Sequence, residues 1–137
     1  MMFSATTFAQ GPDGKNRPKS IISTNASVKN FFDQSALQAM NKRALLDLYV
    51  ERLRVITYTI PNIALTVKPG VTLEDLGVPM EEKNTMALAK YQQATSDYIL
   101  NGEAFINLMM PYADKAEIIQ GILFYDNIIK SIKTAKE

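Results

Sequence analysis

Ile118, Ile122, Tyr125, Ile129 and Ile132 are separated by four, three, four and three residues, which lines five apolar side chains along one side of an α-helix. A line of that kind is stable in water only when other elements cover it, so the chain has to fold as packed helices. Ile119, Leu123 and Ile128 lie beside the line. Asp114 and Glu117 stand at its N-terminal end and Lys130, Lys133 and Lys136 at its C-terminal end, each sign matching the helix macrodipole. Gly121, inside this helix, costs about 1 kcal/mol relative to Ala, which predicts a close neighbour there.

Two further stretches keep a helical period. Leu37, Leu45, Leu48, Tyr49, Leu53, Ile56 and Ile60 predict one long helix over 35–60, capped by Ser35 and ended by Pro61. Asp47, Glu51 and Arg54 read as its solvated face. A third helix is expected to begin at Pro79, with Glu81 and Glu82 in its first turn. Along it Ala87, Tyr91, Ala94 and Tyr98 step by four, three and four, small residues between rings, which predicts close approach of a neighbouring helix. Asn101-Gly102 is the expected end, followed by a short helix over 103–110 before Pro111. The fold class is therefore all-α: a small antiparallel helical bundle with three principal helices, short additional helices and a long irregular loop at about 62–78.

That loop is too long for a plain helix–helix connection, which takes about 2–8 residues. Pro69-Gly70 suits a type II turn, and Thr72 can cap the single turn "LEDL" that Gly77 closes. Ile63, Leu65, Val67, Val71 and Leu73 either pack back over the bundle or form a surface for a partner; they are the candidate partner surface.

Composition removes several kinds of chemistry. The 137 residues include no Cys and no His, which excludes disulfides, thiolate nucleophiles, catalytic triads with His, and zinc sites of the Cys/His type. Adjacent Glu81 and Glu82 point in different directions on a helix and do not share a ligand, so no metal or cofactor is expected. The net charge is +1, and from Ser35 onward eleven basic residues stand against twelve acidic ones. Nucleic-acid binding calls for a basic stripe, so no nucleic-acid partner is expected. No apolar run reaches the roughly 20 residues of a transmembrane helix.

The opening "MMFSATTFAQ" has no charge, and Thr7-Phe8-Ala9 before Gln10 fits the end of a secretory signal, with a frayed start as the other reading. The expected organisation is a signal remnant over 1–9, a flexible arm over 10–34 and the helical bundle over 35–137. Within the arm, Asn25 or Ser27 is expected to cap a short turn that lays Phe31 and Phe32 on the core. The expected location is periplasmic or secreted, otherwise cytoplasmic.

The functional expectation is a non-catalytic helical binding or structural module whose partner is a protein or a second copy of itself. The alternative is a small-ligand binder or enzyme using carboxylates and tyrosines near Glu103, Tyr112 and Asp114.

Overall fold

A computed structural model of the protein describes residues 19–135, and the expectations for 1–9 and for the first part of the arm lie outside the described residues. The described residues form four α-helices: α1 (Gln34–Gln38), α2 (Lys42–Thr59), α3 (Glu82–Met109) and α4 (Lys115–Ala135). Among the described residues there is no strand, and an isolated bridge joins Ser20 to Thr72. The all-α bundle is what the periodicity predicts.

The helix expected over 35–60 is two helices. Asn41 sits in extended geometry and its side-chain oxygen accepts from the Ala44 N–H at 2.8 Å, so it starts α2 as an N-cap. Asp33, not Ser35, caps α1, accepting from the Ala36 N–H at 2.8 Å. The break lets Leu37 turn into the core beside Ile118, Ile119 and Ile122. Lys42 and Lys115 then close the exposed helix ends, donating to the carbonyls of Pro111 (2.8 Å) and Gln38 (2.7 Å).

The opposite correction applies to α3. It runs without interruption through Asn101-Gly102, where an end was expected, and absorbs the separate helix of 103–110. Gly102 has no positive φ, the backbone state that would mark a helix stop. The start also shifts: Pro79 and Met80 precede the helix and Glu81 is its N-cap. Pro79 contributes its carbonyl, which accepts from the Asn84 side chain at 2.8 Å. The two long helices that end at a proline do so alike, in 3-10 turns over Ile60–Asn62 and Met110–Tyr112.

α2 is central. α3 lies antiparallel to it, as Arg43 to Asn107 (3.1 Å) at one end and Asn62 to Tyr91 (3.1 Å) at the other show. α4 turns back again and runs parallel to α2, with Gln38 by Lys115, Tyr49 by Tyr125 and Arg52 by Asp126. The principal core joins Leu37, Leu45, Leu46 and Val50 to Ile106 and to Ile118, Ile119 and Ile122. Gly121 has the close neighbour its presence predicts: a β-carbon there would lie 2.8 Å from Cε2 of Tyr49. The missing side chain makes room for that ring.

Of the stretch read as an arm, residues 19–34 are described, and they pack. Ile21, Ile22 and Ala26 are buried in a second cluster against Tyr58 and Leu73. The Ile21 N–H donates to the Val71 carbonyl at 2.8 Å and the Gly70 N–H to the Ile22 carbonyl at 3.1 Å, so arm and loop hold each other. Asn25 caps no helix; its own N–H donates to the Ser23 hydroxyl. Phe32 reaches the main core, whereas Phe31 is exposed beneath two cations, with Lys130 Nζ 4.6 Å and the Arg52 guanidinium 5.7 Å from its ring centre.

Candidate binding surfaces

The residues 62–78 divide into two groups. Val67, Val71 and Leu73 are half-buried, while Ile63 and Leu65 are exposed. The short turn forms as expected: the Thr72 hydroxyl accepts from the Asp75 N–H at 3.1 Å and the Asp75 carboxylate accepts from the Thr72 N–H at 2.9 Å. Gly77 closes it at φ +80°. Gly70, at φ +93°, takes the left-handed position of the Pro-Gly turn.

Beneath arm and loop is an apolar cavity of about 130 Å³ between α2 and α4, lined by Val28, Val55, Val67, Pro69, Ile129 and Ile132, with Lys133 at its edge. A space of that size holds about one ring or a short chain.

Glu103, Tyr112 and Asp114 do not share a cleft. Glu103 is half-buried and bound to Arg54 at 3.0 Å in a polar cleft of about 700 Å³ between α2 and α3. Tyr112 is 88 % exposed and Asp114 stands exposed before α4, and neither lines that cleft. The cleft is balanced in charge: Arg43 holds Asp47 at 2.9 Å, and Glu51 turns to Arg52 at 2.6 Å. The face of α2 read as solvated is thus partly engaged, since Glu51 and Arg54 both bind other elements.

Arg52 is the polar centre of the fold and was not anticipated. Its side chain is 0 % exposed, and its guanidinium donates to Asp126 (2.8 Å), Glu51 (2.6 Å) and the Asn30 carbonyl (2.7 Å). It joins α2, α4 and the arm. No buried side-chain nitrogen or oxygen among the described residues lacks a hydrogen-bond partner, so no unsatisfied group marks a ligand position. Beside this node Tyr49 and Tyr125 share a hydrogen bond of 3.2 Å with rings 5.1 Å apart. Burial first, then the bond to Tyr49, raises the Tyr125 hydroxyl above the ordinary tyrosine range.

The most unusual surface is on α3. This helix has 28 residues, yet only Thr95 and Ile106 are fully buried. Tyr98 (65 % exposed), Phe105 (59 %) and Leu108 (68 %) stand out on it, and Tyr112 follows in the 3-10 turn. Ala87 and Ala94 are exposed on the same side while Tyr91 is half-buried and accepts from Asn62 at 3.1 Å, so the described helices supply only part of the neighbour that the alternating rings and small residues predict. Among the described residues, no helix is long and apolar enough to cross a membrane. Comparisons with family models, with curated proteins and with solved structures find no match to this chain.

Proposed function

We propose that the protein is a non-catalytic helical binding module that acts through the exposed apolar face of α3. The observation that supports this is the run of large side chains, Tyr98, Phe105, Leu108 and Tyr112, standing out from a long, regular helix. Contiguous apolar surface of that kind on a soluble domain marks an interaction site. A chemical role near Glu103, Tyr112 and Asp114 has less support, because Glu103 is engaged by Arg54 and the three do not converge. A photo-crosslinking phenylalanine analogue at Phe105, used in the native host, tests the reading. A discrete adduct is expected from that position and none from the same analogue at Leu65 in the loop. An adduct from Leu65 alone moves the binding surface to the loop, and no adduct from either overturns the proposal.

The module is exported in this reading, on the strength of Thr7-Phe8-Ala9 before Gln10. Mass spectrometry of protein from the native host should find a mature N-terminus at or near Gln10. An intact Met1 recovered from the cytosol would rule export out.

A further inference from the structure

The repeat on α3 is longer than a helix of this fold needs. Asn84, Tyr91, Tyr98 and Phe105 recur every seventh residue, with Tyr112 next in the 3-10 turn; Ala87, Ala94, Asn101 and Leu108 recur every seventh residue between them. Together they make an unbroken three-and-four seam of about four heptads, the pattern by which one helix packs along another. Because α3 continues through Gly102, the seam is one surface and not two. Thr95 and Ile106, which face the core, lie beside it.

We infer that a second copy of this chain covers the seam from Asn84 to Phe105, its α3 lying antiparallel to the first about a two-fold axis near Gln92 and Gln93. The inference rests on the reading of α3 as the binding face and names its occupant. Size complementarity gives the direction. In this arrangement Tyr98 lies over the second copy's Ala87 and Tyr91 over its Ala94, each ring on a small residue. A parallel pair would set tyrosine on tyrosine and alanine on alanine, crowding one layer and leaving a gap in the next.

Polar residues give the register. The same alignment brings Asn84 level with the second copy's Asn101, so the two amides in the seam meet each other. It also brings Lys90 beside the second copy's Asp97, twice by symmetry. Within the chain, Asp97 accepts from Gln93 of its own helix at 3.0 Å, and neither Lys90 nor Asp97 makes an ion pair among the described residues. Sliding one copy by a heptad would set the two Asp97 carboxylates together and leave Asn101 facing Tyr91. Exposed Met80, just ahead of α3, comes level with Phe105.

About this axis the two α3 helices overlap over residues 82–103. The pairing encloses Tyr98 and the exposed alanines between the helices and sets Phe105 against the second copy's Met80, while Leu108, Met109 and Tyr112 lie past the end of its α3.

Sedimentation equilibrium of the purified full chain tests this, with far-UV circular dichroism confirming helicity. The expected result is a dimer that Tyr98→Glu converts to a folded monomer. Lys90→Asp and Asp97→Lys should each weaken association by about tenfold, and the two together should restore it, since opposite charges again meet. A chain that stays monomeric at every concentration, or a dimer indifferent to Tyr98→Glu, overturns the inference. So does a double variant no tighter than the singles. If the Phe105 crosslink in cells yields an adduct of some other mass while the purified chain is monomeric, the binding face stands and the second copy falls; with no adduct, the binding face itself falls.

Discussion

Asp126→Ala should destabilise the protein by about 3–5 kcal/mol, a larger loss than any exposed ion pair would produce. The reason lies with the residue that stays behind. Arg52 is wholly enclosed, and Asp126 is the buried carboxylate that matches its charge; Glu51, its other acidic neighbour, is only partly covered. Removing Asp126 leaves a desolvated cation with an incomplete set of acceptors. Replacing both residues, Arg52→Met with Asp126→Leu, should recover most of the loss, because two apolar groups of similar size need no compensation. Urea unfolding of the two proteins measures the difference. If Asp126→Ala proved as stable as the wild type, the pair would not be the enclosed contact described here.

Ile122→Asp should abolish folding. Ile122 is fully buried in the cluster with Leu45, Leu46, Ile118 and Ile119, so the new carboxylate would be enclosed by these hydrocarbon side chains. Lys133→Ala, on the exposed side of the same helix, should change stability by less than about 0.5 kcal/mol. Thermal melts followed by circular dichroism separate the two, and equal melting temperatures would mean that the face of α4 is wrongly assigned.

Much of this fold can be read locally. The isoleucine line of α4 is buried as its spacing predicts, the prolines at 61 and 111 end long helices in 3-10 turns, and Thr72, Asp75 and Gly77 form the capped turn. The misplaced boundaries have a common cause. Asn41 and Gly102 are weak signals on their own, and each is decided by what packing rewards. Breaking at Asn41 puts Leu37 against α4, whereas continuing through Gly102 carries Ile106 into the core. The buried ion pair also leaves a trace in the sequence. Arg52 falls seven residues after buried Leu45, and Asp126 falls four after Ile122 and three before Ile129, so each is a lone charge at a stripe position.

The sequence by itself determined that the chain is all-α, where the apolar lines run along each helix and which turns end them, because these follow from backbone geometry within a few residues. Only the tertiary structure decided that Arg52 meets Asp126, that the stretch before α1 packs on the loop, and that the described helices leave most of the line on α3 open. A periodic line says that a helix face needs a neighbour but carries no information about which element arrives there. That choice is made by contacts between residues far apart in the chain, where α2 has room for α4 along one side and for α3 along another, and where none of the other described helices lies over the outer side of α3.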